Sequence, residues 1–97
     1  MTDEFTKLFN IIESRKTSGI KKSYTNQLLT KGSKKIAQKI GEESAELIID
    51  YLKGTKKRTT EEAVDLIYHL FVLLVSKKIN INDLKKEIKK RQVKNVR

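Results

Sequence analysis

Phe5, Leu8, Phe9 and Ile12 recur at the i, i+3, i+4, i+7 spacing of one helix face, so the chain opens on an amphipathic helix. Thr2 is placed to cap it, with Asp3 and Glu4 in the first turn, where free backbone N–H groups favour acids. The helix is expected to fade between Lys16 and Gly19. The polar stretch from Lys16 to Ser23 reads as a loop, and Ser23–Thr30 as a short helix capped by Ser23 and stopped at Gly32. Ser33 caps a longer helix through about Leu52, with Ile36, Ile40, Leu47, Ile48 and Tyr51 as its apolar stripe and Gly54 just past its end. GTKKRTT, residues 54–60, reads as a loop. Thr59 or Thr60 then opens a helix to about Lys77, and Thr59 with Glu62 has the spacing of a capping box. A last helix begins near Asn82 and Asp83, turns Leu84 and Ile88 inward, and frays from Gln92. With no proline and four glycines, long uninterrupted helices are expected. The pattern predicts one all-α domain of four to five helices over residues 1–97, without internal repeats.

Composition narrows what such a domain can do. Ninety-seven residues bury roughly 60–65% of their unfolded surface, enough for one small core but not for a deep pocket. A site is therefore expected at a surface between helices, or completed by a second copy. There is no cysteine, which excludes disulfides, thiolate zinc sites and a cysteine nucleophile; one histidine excludes a multi-His metal site. No apolar run reaches the roughly 18 residues of a membrane span. The opening MTDEFTKLFN lacks the basic, then apolar, order of a signal peptide, so a soluble cytoplasmic protein is expected.

The formal net charge is +10, which first suggests a polyanionic partner. Its distribution weakens that suggestion. Lys85 to Arg97 carries seven bases against one acid, whereas Gly41 to Asp65 carries seven acids against four bases. Eighteen of the 22 bases are lysine, and base-specific readers of nucleic acid lean on arginine forks. A nucleic-acid partner is not expected.

The acids of the middle segment are not placed as surface decoration. At about 100° per residue, Lys39, Glu43, Glu46 and Asp50 form one narrow stripe that borders the apolar face of their helix. The next helix is apolar almost all round from Ala63 to Val75, so it is buried or shared with a partner chain. Its polar residues collapse into a single wedge: Glu61, Glu62, Asp65 and His69. Three acids in one wedge of a buried helix repel each other and lose solvation, and a divalent cation relieves both costs. Mg²⁺ takes oxygen ligands and keeps waters for a phosphate substrate. Carboxylates at i and i+3 share a helix face, so Glu43 with Glu46 and Glu62 with Asp65 can converge on one or two ions. Plainer readings stand beside this one: Glu62 as a capping-box acid, Glu61 as a first-turn acid, Glu42 as a surface charge. His69 reads as a hydrogen-bonded histidine at the core's edge, and Tyr51 and Phe71 as core.

These motifs resemble the phosphoribosyl-ATP pyrophosphohydrolase family. The residues that carry the resemblance are KIAQKIGEESAEL at Lys35–Leu47, EEAVDLIYHLFVLL at Glu61–Leu74 and SYTNQLLTKG at Ser23–Gly32, supported by Arg15 in the first helix and the ending INDLKKEIKKRQ. The resemblance spans Phe5 to Arg91. It implies a MazG-like helical bundle completed by dimerisation, Mg²⁺ held by Glu43, Glu46, Glu62 and Asp65, and a role for Glu42 or Glu46 as the proton acceptor. It further implies hydrolysis of phosphoribosyl-ATP to phosphoribosyl-AMP and pyrophosphate, the second step of histidine biosynthesis. Arg15, Tyr24, Thr25, Lys35 and Lys39 are the residues expected to grip the substrate. Asp50 departs from the family pattern, standing where a small or apolar residue is expected, and Lys21 and Lys22 replace an acidic or glycine-rich lead-in. Two alternatives remain: a housecleaning nucleotide pyrophosphatase of the same superfamily, or a non-enzymatic helical module binding nucleic acid through Lys85–Arg97.

Overall fold

The computed structural model describes residues 3–16 and 23–94, and within them the chain is all-α. Its helices are α1 (Glu4–Arg15), α2 (Tyr24–Lys31), α3 (Ser33–Lys53), α4 (Lys56–Ser76) and α5 (Ile81–Lys94). The expected loop falls largely on residues 17–22, and the end of the frayed tail on 95–97, both outside the described residues. Within them, α5 continues past Gln92 to Lys94.

Local chemistry explains most helix ends. Asp3 caps α1: its carboxylate accepts from the Thr6 N–H at 2.7 Å. That corrects the assignment to Thr2, because an ionised acceptor nearer the first turn meets both the free N–H groups and the positive end of the helix. Ser23 caps α2 as expected, accepting from the Asn26 N–H at 2.9 Å. Gly32 ends that helix at φ 93°, a conformation that costs glycine little. Gly32 also precedes α3 directly, so Ser33 is the first residue of α3 and not its cap. Before α5, Asn80 and Asp83 cap each other, each side chain accepting from the other's N–H at 2.9–3.0 Å.

The α3–α4 junction differs most from the expectation. Residues 54–60 are not a loop. Thr55 accepts from the Arg58 N–H at 3.1 Å and α4 begins at Lys56. Thr59 and Thr60 are therefore interior, their hydroxyls donating back to the carbonyls of Thr55 and Lys56 at 2.8 Å. The Thr59–Glu62 capping box does not form, since an earlier threonine has taken the cap. Only Gly54 and Thr55 link the helices. Gly54 is needed there for closeness: its N–H donates to the Asp50 carbonyl at 2.7 Å, and a Cβ would lie 2.8 Å from both that oxygen and Asp50 Oδ1.

α3 and α4, 21 residues or about 30 Å each, form a hairpin and make the most extensive helix contact. α1 and α2 pack against α4, and α2 also against α3. The core sits where α3 begins and α4 ends: Phe9, Ile12, Leu28, Ile36, Phe71, Val72, Leu74 and Val75. Each such side chain contributes about 1.5–3 kcal/mol. Phe9 and Phe71 meet edge to face with centroids 5.3 Å apart.

The turn end of the hairpin is bare. Ile48, Ile49, Tyr51, Leu52 and Val64 are 53–75% exposed. Ile48 and Tyr51 were expected to be covered, but no described segment of the same chain covers them. Ile88 is likewise half exposed, because α5 packs through Ile81 and Leu84. None of the described helices is long and apolar enough to cross a membrane.

Candidate active site

The short link fixes which residues of α3 and α4 face each other. Asp50 Oδ2 lies 3.7 Å from Arg58 Nη2. One turn farther from the link, the carboxyls of Glu46 and Glu62 meet. One step beyond that, Glu43, Glu62 and Asp65 offer carboxylate oxygens all within 4.8 Å of one another. Steps of four and three residues back along α3 are matched by steps of four and three forward along α4. Thus the i, i+3 pairs on the two helices face one another.

Burial gives this cluster its chemistry. Glu43 is 7% exposed and Glu62 5%, and Oε2 of each is enclosed with no hydrogen-bond partner among the described residues. Enclosing an ionised carboxylate oxygen without a donor is costly. Asp65 is exposed at the mouth. Two enclosed oxygens and an open third carboxylate suit a small hard cation that prefers oxygen and retains part of its water shell. The donor set therefore fits Mg²⁺.

The cost of this enclosure falls on Glu62. Burial first, then the Glu46 carboxyl against it, pushes its pKa above the ordinary carboxylate value, with Arg58 pulling the other way. A carboxyl whose pKa is higher folded than unfolded is harmless while protonated in both states, and destabilises the fold as pH rises through the folded value. With a chelator present, the Tm is therefore expected to rise as pH falls from the raised value of Glu62 toward the ordinary carboxylate value of 4.5. Glu62→Gln should lift the Tm at pH 7 and flatten that slope; a lower Tm with the slope intact would contradict the assignment. Below about pH 4.5 the trend reverses, as Asp3, Glu42 and Glu87, held below their ordinary values by hydrogen bonds, take up protons.

Lys39 closes the α3 side. Its Nζ lies 3.2 Å from Glu42 Oε1 and 3.7 Å from Glu43 Oε1, and the hydrogen bond to Glu42 raises its pKa. Glu42 is exposed, takes the Gln38 amide at 2.8 Å, and is held ionised by Gln38, Lys39 and, more weakly, Lys35. The other expected substrate residues divide. Tyr24 is half exposed and lies near Lys39. Thr25 is buried, its hydroxyl bonded to that of Tyr68 between α2 and α4. The Ser23 hydroxyl is occupied as a cap. Arg15 ends α1 beside α2, where its carbonyl accepts from Asn26 Nδ2 at 2.9 Å.

His69 is the buried, bonded histidine the sequence suggested. Its Nδ1 donates to the Asp65 carbonyl at 2.8 Å and its Nε2 meets the Tyr24 hydroxyl at 3.2 Å. Because a carbonyl only accepts, Nδ1 carries a proton, which ties the ring to α4 while Nε2 engages the Tyr24 hydroxyl of α2. Phe71 is core as expected; Tyr51 is not. Two features were missed: the Tyr24–His69 and Thr25–Tyr68 ties that dock α2, and Arg58, which pairs with Asp50, Glu61 and Glu62. Symmetry about Gly54 was the available signal for Arg58, since Asp50 and Arg58 stand four residues to either side of it.

The sequence profile of a family described as phosphoribosyl-ATP pyrophosphohydrolase matches residues 5–92 of this chain. The chain belongs to that family. A phosphoribosyl-ATP pyrophosphatase of Bacillus cytotoxicus is 49% identical over 84 residues, covering 87% of this chain and 78% of that protein. One from Bacillus cereus is 46% identical over 94 residues, covering 97% and 88%. One from Clostridium botulinum is 47% identical over 85 residues, covering 88% and 77%. The match to the phosphoribosyl-ATP pyrophosphohydrolases spans α1 to most of α5, so it includes both acidic helices and the α2 segment docked on them.

Proposed function

We propose that this chain hydrolyses phosphoribosyl-ATP to phosphoribosyl-AMP and pyrophosphate, the second step of histidine biosynthesis, as a Mg²⁺-dependent cytoplasmic homodimer. The observation that carries the reading is the convergence of Glu43, Glu62 and Asp65 around two enclosed, partnerless oxygens in a member of this family. Glu43, Glu62 and Asp65 would hold the cation, with Glu46 beside them. When bound, Mg²⁺ supplies charge neutralisation for the phosphate oxygens and for the departing pyrophosphate.

The chain's own groups do the rest. The reaction is attack of water on the α–β phosphoanhydride, and the water's proton must go to a carboxylate. Glu42 is poorly suited, because two hydrogen-bond donors hold it ionised and lower its basicity. Glu46, against Glu62 and outside the three-acid cluster, is the better acceptor. Lys39 steadies Glu43 and offers a cation to phosphate, and Tyr24 presents a half-exposed ring beside it. His69 fixes the direction of the Tyr24 hydroxyl. The exposed apolar face at the turn end supports the homodimer, since a second copy of that face covers it.

The test is a substrate panel with Mg²⁺: phosphoribosyl-ATP, dUTP, dCTP and ATP, scored for released pyrophosphate. Phosphoribosyl-ATP is expected to give the highest kcat/KM by a wide margin. Preference for dUTP or another simple nucleotide would reassign the chain to nucleotide housecleaning within the same chemistry.

A further inference from the structure

Each of the two deeply buried acids has a cation one turn before it on its own helix: Lys39 precedes Glu43, and Arg58 precedes Glu62. The two pairs are not equal. Lys39 stands 3.7 Å from Glu43 Oε1, whereas Arg58 Nη2 is 2.5 Å from Glu62 Oε1. Arg58 Nη1 also reaches Glu61 Oε1 at 2.6 Å, and Nη2 faces Asp50 Oδ2 at 3.7 Å. Among the groups acting on Glu62, Glu46 and Asp65 oppose its charge and Arg58 favours it. Without Arg58, Glu62 would be an enclosed carboxylate among like charges.

We propose that Arg58 is a resident counter-ion of the acidic cluster, which a divalent cation displaces from Glu62. This rests on the cation site proposed above. Two observations and one electrostatic argument carry it. The Arg58 side chain is 52% exposed, so it can turn away without disturbing the core. Glu61 and Asp50 lie at the rim, 45% and 21% exposed, and retain the guanidinium after Glu62 is released. Asp50 thus acquires a role: it is a second berth for Arg58 at the α3–α4 link. Finally, a guanidinium on Glu62 and a divalent cation among Glu43, Glu62 and Asp65 are like charges within a few ångströms, so each weakens the other's hold. Arg58 stabilises the metal-free fold at the expense of cation affinity.

The experiment is calorimetric titration with Mg²⁺ alone, with no nucleotide, on the wild-type full chain and on Arg58→Gln. The expected result is that Arg58→Gln binds Mg²⁺ roughly two- to fivefold more tightly. Its chelated form should also melt lower, so that Mg²⁺ raises its Tm by more than it raises the wild type's. Adding Glu62→Gln should restore the chelated Tm of Arg58→Gln, because no enclosed charge is then left unpaired. Unchanged Mg²⁺ affinity would mean a purely structural pair, and weaker affinity would mean that Arg58 orients Glu62 for the ion; either overturns the exchange. Absence of Mg²⁺ binding in the wild type overturns the cation site itself and this inference with it. Should Arg58→Gln not fold, the wild type still decides: the Arg58 guanidinium ¹⁵N–¹H signal should change on Mg²⁺ saturation, and an unchanged signal overturns the proposal.

Discussion

Replacing Glu43 by Gln, or Asp65 by Asn, is expected to lower Mg²⁺-dependent pyrophosphate release by roughly a hundredfold or more, since even partners that only orient a metal ligand are worth 10- to 100-fold. The amide keeps the shape of the acid and removes one negative charge from a set of three whose oxygens lie within 4.8 Å. Glu43 is the sharper probe. Its Oε2 is enclosed without a donor, so the carboxylate is poorly compensated until something positive arrives. A substitution that damages catalysis while relieving buried charge separates function from folding. Glu43→Gln should keep its helical circular dichroism and melt no lower than the wild type in chelator, yet lose the Tm rise on adding Mg²⁺. Glu42→Gln should cost far less, because that carboxylate faces solvent and serves Gln38 and Lys39. Full activity in either variant would remove that residue from the site.

The acidic site was legible in the sequence because its logic is periodic. Glu43 with Glu46, and Glu62 with Asp65, are spaced by one helical step. The apolar surround of Ala63–Val75 says that the second pair lies on a largely buried helix. What periodicity does not encode is where one helix stops and the next begins. Thr55 and Thr59 are equally good caps by residue type. The choice between them is made by contact between the helices: the Asp50 carbonyl takes the Gly54 N–H and shares the Thr59 hydroxyl proton with the Thr55 carbonyl, which holds the start of α4 against the end of α3. Reading residues 54–60 as a loop hid Arg58, since a loop arginine has no fixed neighbours. With the turn at Gly54, reflection pairs Asp50 with Arg58, Glu46 with Glu62 and Glu43 with Asp65. Side-chain partners of α2 were illegible for another reason: the Thr25–Tyr68 and Tyr24–His69 bonds join residues more than 40 positions apart, with no local pattern to announce them.

Charging the turn end of the hairpin should convert a dimer to monomers. Ile48, Ile49, Tyr51 and Leu52 project from the last two turns of α3 over an arc of roughly 160°, with Val64 of α4 also exposed at that end. A shallow apolar recess between Val64, Ile67, Phe5 and Leu8 adds to it. An arc this wide is more than an isolated surface helix leaves in water. The chain's own core lies at one end of the hairpin, with the acids between that core and the bare face. Sedimentation equilibrium should give the wild type twice the 11.2 kDa chain mass. Ile49→Glu or Leu52→Glu would bury a charge against apolar side chains in the assembled state, and because a two-fold interface presents each residue twice, the penalty is doubled. Dissociation should therefore strengthen by a factor of about 100 or more, leaving monomer at micromolar concentration. A wild type that sediments as a monomer at high concentration would refute the homodimer, and with it the explanation of why these apolar residues stand bare at one end of a chain whose acids lie buried beside them.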